Sequence, residues 1–175
     1  MENQKRKSTW STILKVIIAV ATAIGSVIGI QSCIYPAGMR KITLIIIHCS
    51  ATPEGRNLDF ETCRHDHIHH RGFKDIGYHF YITRDGGIHR GRSLERIGAH
   101  CKNHNRHSVG ICYEGGLSAG GIPADTRTLE QKATLLALLR ELRAVLPEAI
   151  IVGHRDLNPL KGCPCFDAVK EYGGL

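Results

Sequence analysis

The apolar residues of this chain keep two rhythms, and each predicts a different kind of element. Ile42 to His48 reads ITLIIIH, an almost unbroken β-branched run. It is too short for a buried helix and has the composition of a central strand covered on both faces. DFETCRHDHIHHRG then opens on Asp59, a helix N-cap, and closes on Gly72, a stop. GYHFYITRDGGIHRG alternates on both sides of Asp85-Gly86-Gly87 and predicts a β-hairpin. SVGICYEGG, from Ser108, is a further short strand running into glycines, and SAGGIPAD is a loop. Leu135, Leu138, Leu139 and Leu142 share one face of a helix that Thr128 and Gln131 open as a capping box and Pro147 ends. AIIVG (Ala149 to Gly153) is a strand delivering His154, and CFDAVKEY is a short terminal helix. The alternation predicts a single α/β domain, a central mixed β-sheet flanked by helices.

The first 38 residues differ in kind. Lys5, Arg6, Lys7 and Lys15 precede Val16–Ile30, which is uncharged throughout. This is the order of a signal peptide's basic and apolar regions. GIQSC, ending at Cys33, resembles the lipobox of bacterial lipoproteins. An uncleaved membrane anchor, with its basic flank inside, is the alternative. Met39 supplies a third, since translation from it gives the globular part alone. The expected division is therefore 1–38, a signal, lipobox-like or anchor segment, and 39–175, the folded domain. Residues 10–33 would associate with a membrane, placing the protein in the cell envelope if read from Met1 and in the cytoplasm if read from Met39.

A length of 175 residues suits one domain with a tail, and a net charge of +7 suits an anionic partner. The basic residues are scattered, with no zinc ribbon, helix-turn-helix or RNA-binding aromatic motif, which argues against nucleic acid. Seven cysteines cannot all pair with one another, so most are read as reduced, buried residues. Pairing of Cys63 or Cys101 stays open if the domain is exported.

The chemistry concentrates in VGHRDLNPLKGCPCFD, Val152 to Asp167. Its two prolines and two glycines predict an irregular loop over most of its length. His154 and Cys163 are metal-ligand candidates, and catalytic zinc takes three protein ligands and a water. His48, closing the apolar strand, is the third candidate. A polar ring at the end of such a run needs a partner. Backbone hydrogen bonding is the competing reading for it.

IIIHCSAT, DIGYHFYITRDG, IGAHCKNHNRHSVGICYEGG and GHRDLNPLKGCPCFD together resemble the zinc-dependent N-acetylmuramoyl-L-alanine amidases of type 2, the family of phage lysozymes and peptidoglycan recognition proteins. The resemblance runs from Arg40 to Val169. It implies a mixed α/β fold around a zinc cleft, a single zinc ion per chain, and hydrolysis of the amide joining N-acetylmuramic acid to L-alanine in peptidoglycan or muropeptides. It makes His48, His154 and Cys163 the zinc ligands, and Tyr78 and Lys161 the catalytic pair. His100 and Asn105 match positions at the substrate groove. Two neutral imidazoles and one thiolate would leave the zinc complex formally at +1 before water binds.

The chain also departs from the family. His154 and Cys163 stand one residue further apart than in the phage-type enzymes, and Ile68 occupies a position where relatives carry His. Cys165 falls where relatives have a small polar residue, and is read as packing with an alternate-ligand reading beside it. His65, His67, His69 and His70 are read as a solvated helix face rather than a second metal site. His79 is expected on the opposite face from Tyr78. Two other functions remain open: a non-catalytic peptidoglycan-binding module, and a cysteine hydrolase using Cys49 or Cys163.

Overall fold

The computed structural model describes residues 40–175. The expected segment at 1–38, with the lipobox-like Cys33 and the stretch 10–33, lies outside the described residues. No helix among the described residues is long and apolar enough to cross a membrane.

Among the described residues, seven strands and four α-helices follow in chain order. They are β1 (Leu44–Cys49), β2 (Thr52–Pro53), α1 (Phe60–His69), β3 (Phe80–Ile82), β4 (Ile88–Arg90), β5 (Ser108–Tyr113), β6 (Gly116–Leu117), α2 (Leu129–Val145), β7 (Ile150–Gly153), α3 (His154–Leu157) and α4 (Ala168–Tyr172), with a 3₁₀ turn at Asn105–His107. Five strands form one sheet in the order β4-β3-β5-β1-β7, and β2 pairs with β6 in a small second sheet. β1 runs parallel to β5 and β7, β3 runs parallel to β5, and only β4 is antiparallel. The sheet is mixed, as the alternation predicts.

The apolar run puts β1 at the centre, where all six of its residues are buried. Alternate side chains then serve two faces. Ile45 and Ile47 join Val109, Ile111, Phe80 and Ile82 beneath the leucine face of α2, while Tyr81 and Cys112 pack with Cys63 of α1 on the other face. His48 alternates onto the α1 side of the sheet. The two longer helices begin as their sequences direct. Asp59 accepts a hydrogen bond from Thr62 N at 2.8 Å, and Thr128 and Gln131 cap each other's backbone. The hairpin turns at Gly86, whose φ of +80° favours glycine. Leu138, fully buried under the sheet, is central to this packing. Its replacement by alanine should lower unfolding free energy by about 2–5 kcal/mol, read by denaturant titration, and a loss below about 1 kcal/mol would contradict this core assignment.

One element departs from expectation. His154–Leu157 is a single helical turn inside the loop predicted to be irregular. Asp156 Oδ2 accepts from Gly153 N at 2.7 Å, which starts the turn. Pro159 lies far enough on to leave it intact, since the restricted residue before proline is Asn158, already outside the helix. At the C-terminus, Arg127 ties α4 down by binding Asp125 and Glu171 and stacking 3.3 Å over the Phe166 ring.

Candidate metal and catalytic site

The carboxyl ends of the parallel strands bring the chemistry together. His48 leaves the end of β1, β7 runs into α3 with His154 as its first residue, and the loop before α4 returns Cys163 to the same place. The donor atoms of His48, His154 and Cys163 lie within 4.8 Å of one another. His48 is buried, whereas His154 and Cys163 are half-buried, so the group is open on one side. His48 Nδ1 is 3.8 Å from Cys163 Sγ. A tetrahedral ion at ordinary zinc–nitrogen and zinc–sulfur lengths would need about 3.5 Å between such atoms. The Cys49 backbone N–H donates to Cys163 Sγ at 3.2 Å. Burial, with His154 nearby, holds His48 well below the ordinary histidine range. Burial and the Lys161 ammonium lower His154 in the same direction. Two neutral imidazoles and a thiol suit a borderline-soft divalent cation, so the residues present fit zinc.

Tyr78 leads into β3 with its ring centroid 5.3 Å from that of His48. Burial, with the thiols of Cys112 and Cys163 adding to it, pushes its phenol well above the ordinary value. It therefore stays protonated and able to donate. Lys161 is exposed at the rim, where its charge is felt by His154.

The remaining sequence candidates divide. His100 lies against His48, with its Nδ1 3.0 Å from His48 Nε2. Asn105 uses its side-chain oxygen within its own loop, accepting from His100 N and Cys101 N, both at 2.9 Å. Cys165 is turned towards Cys49, with the two sulfurs 3.6 Å apart, and is not part of the donor group. The six described cysteines are free, including Cys63 and Cys101.

The His-rich helix needs a correction. His65, His69 and His70 are exposed, but His67 is buried. Its Nδ1 accepts from Gly77 N at 2.9 Å, and its ring lies 5.4 Å from Tyr78. The signal was present in the sequence, because Cys63 and His67 are spaced i, i+4 and face the sheet together.

His79, the neighbour of Tyr78, is buried with its Nδ1 accepting from Gly110 N and its Nε2 2.9 Å from Arg40. Burial, reinforced by the Arg40 guanidinium, pushes it down to about 4. Because the folded value lies below the unfolded 6.5, its stabilising contribution is complete above pH 6.5 and is lost as pH falls through 4. The loss should reach about 3 kcal/mol. Denaturant titrations between pH 7 and 4 should show a steeper decline in the native protein than in His79→Gln. Parallel declines would refute the assignment.

A mixed sheet carrying a His-His-Cys donor group at its carboxyl edge defines an α/β domain with a candidate site for one divalent cation. The chain belongs to the type 2 N-acetylmuramoyl-L-alanine amidase family, whose model, described as N-acetylmuramoyl-L-alanine amidase, matches residues 38–166. A family of unknown function, DUF6486, matches residues 5–35. The chain is 41% identical over 128 residues to the endolysin of Enterobacteria phage K11, covering 73% of this chain and 83% of that protein. Among solved structures it resembles an endolysin N-acetylmuramoyl-L-alanine amidase, LysCS, from Clostridium intestinale, with 29% identity, a TM-score of 0.60 and coverage of 75% and 80% of the two chains. It also resembles Drosophila PGRP-LB solved with tracheal cytotoxin, with 27% identity, a TM-score of 0.58 and coverage of 75% and 80%. The protein is an amidase.

Proposed function

We propose that this amidase is zinc-dependent and cuts the amide between N-acetylmuramic acid and L-alanine in peptidoglycan or its muropeptides. The observation that carries the reading is the convergence of His48, His154 and Cys163, from three separate segments, within 4.8 Å. The likeness to a phage endolysin and to a recognition protein solved with tracheal cytotoxin supports the substrate class.

His48, His154 and Cys163 would hold the ion. When bound, zinc would supply Lewis acidity and make water acidic enough to act as hydroxide near neutral pH, its pKa falling from ~15.7 toward ~7. The chain's own groups act around it. As the carbonyl carbon becomes tetrahedral, its oxygen gains negative charge, and the Tyr78 hydroxyl donates a hydrogen bond to it. The Lys161 ammonium adds positive charge from the open rim. The Tyr78 hydrogen bond is worth on the order of 10²–10³ in rate, and the solvent-screened Lys161 charge less. A water adds to the carbonyl carbon, the C–N bond breaks, and the proton the water gives up passes to the departing L-alanine nitrogen, with the Tyr78 hydroxyl as its relay. The presence of Tyr78, Lys161 and Cys163 together favours catalysis over a peptidoglycan-binding role alone.

Residues 1–38 form a separate export or anchoring segment in this reading. The separate family match at 5–35, ending just before the amidase match begins at 38, supports that boundary.

The test is digestion of bacterial peptidoglycan by the zinc-loaded protein, with the severed bond identified by mass spectrometry. New L-alanine amino termini and peptide-free glycan are expected. New reducing ends, cuts inside the stem peptide, or binding without cleavage would overturn the reading.

A further inference from the structure

A ligating histidine usually donates its second ring N–H to a carboxylate, a backbone carbonyl or water. His48 departs from this. Its Nδ1 faces Cys163, and its Nε2 meets the Nδ1 of another imidazole, His100, at 3.0 Å. The rings stand edge to face, 5.0 Å apart at 79°.

The surroundings of His100 are built to hold that orientation. Its ring fits a slot between two glycines. A Cβ on Gly110 would stand 2.5 Å from His100 Cδ2, and one on Gly98 would collide with the same ring edge. At the far end, His100 Nε2 lies 3.4 Å from Ser108 Oγ, on a residue with no exposed surface. The backbone is fixed too, because Asn105 Oδ1 accepts from His100 N and Cys101 N. Gly110 is held in turn by His79, through Gly110 N to His79 Nδ1 at 3.0 Å and His79 N to Gly110 O at 2.9 Å. His48, His100 and His79 therefore form a row that starts in the donor group and runs inward.

We infer that His100 is a positioning residue for the metal site: it accepts the Nε2–H of His48 and so commits the His48 Nδ1 lone pair to the ion. His100 can take that proton only if its own hydrogen is on Nε2, which points it at Ser108 Oγ. The inference rests on the proposed His48–His154–Cys163 metal site. It gives His100 a role through His48 rather than through the substrate.

The test uses the full chain and two substitutions. The oxygen of asparagine falls close to the place of histidine Nδ1, so His100→Asn keeps an acceptor, whereas His100→Leu fills the slot without one. Zinc affinity is read by competition with a chromophoric chelator, and kcat and KM are read at saturating zinc on a soluble muropeptide. His100→Leu should bind zinc 10–100-fold more weakly, and His100→Asn should restore most of that loss. Unchanged zinc affinity with a raised KM in both variants would make His100 a substrate contact and overturn the inference. Equal weakening in both would make it a shape-filling residue, which also overturns it.

Native protein labelled with ¹⁵N-histidine gives a reading that does not depend on the variants folding. In the zinc-bound form, His48 should carry its proton on Nε2 and the metal on Nδ1. Ligation through Nε2 would end the inference while leaving the zinc amidase reading intact. Failure of the native protein to bind zinc at all would remove both.

Discussion

Replacing Cys163 with alanine is expected to reduce peptidoglycan hydrolysis by 10³-fold or more, equivalent to about 4 kcal/mol or more of lost transition-state stabilisation. Cys163 is the one sulfur in the donor group, and its Sγ lies 3.8 Å from His48 Nδ1 with the Cys49 N–H directed at it. In the proposed site, its loss would leave two imidazoles to hold the ion, too few for a catalytic zinc site. The rate of appearance of L-alanine amino termini measures the effect, and bound zinc should fall in parallel. The half-buried position of Cys163 leaves the core intact, so circular dichroism should match the native protein. A variant that retained its rate would exclude Cys163 both as a ligand and as a nucleophile. Chelation of the native protein separates those two roles. Activity lost to a chelator and recovered with zinc is expected of the metal site, and activity that survives complete zinc removal would favour a cysteine hydrolase.

The second large effect is expected at Tyr78. Tyr78→Phe removes one oxygen and keeps the ring that packs beside His48 and His67. Burial holds the phenol protonated, so what is lost is a hydrogen-bond donor. If that donor serves the developing oxyanion, kcat should fall by about 10²–10³ with little change in KM or zinc affinity. A matching rise in KM with kcat preserved would instead make Tyr78 a ground-state binding group. Lys161, on the exposed rim, interacts across solvent, and its replacement by methionine should cost less than Tyr78→Phe.

Much of this was legible in the sequence because it depends on near neighbours. The β-branched run of β1, the Asp59 cap, the turn at Gly86 and the Thr128–Gln131 capping box are interactions within a few residues, and each element forms where its residues direct. The residue types of the donor group were legible for a related reason. Judged alone, each imidazole and thiol has a structural reading, but their order along the chain matches that of a family. The helical turn at His154–Leu157 was hidden by prolines nearby, although the first of them lies beyond its end.

The orientation of each histidine was decided only by the tertiary structure. Four histidines crowd α1 and its end, yet only His67 turns inward: it lies one turn after buried Cys63 and finds Gly77 N to bind, whereas His70 stands at the helix end and pairs with Asp66. Asn105 and His100 look alike as polar loop residues. The fold ties the first to its own loop and places the second against a residue 52 positions away in sequence. Cys163 and Cys165 are two residues apart, and the path of the chain turns one towards His48 and the other towards Cys49. The sequence by itself determined most of the elements and the chemical types of the donor group, since backbone preference and periodicity are local. Which ring nitrogen faces the metal site, and which group holds it there, follows from contacts between segments that only the closed sheet brings together.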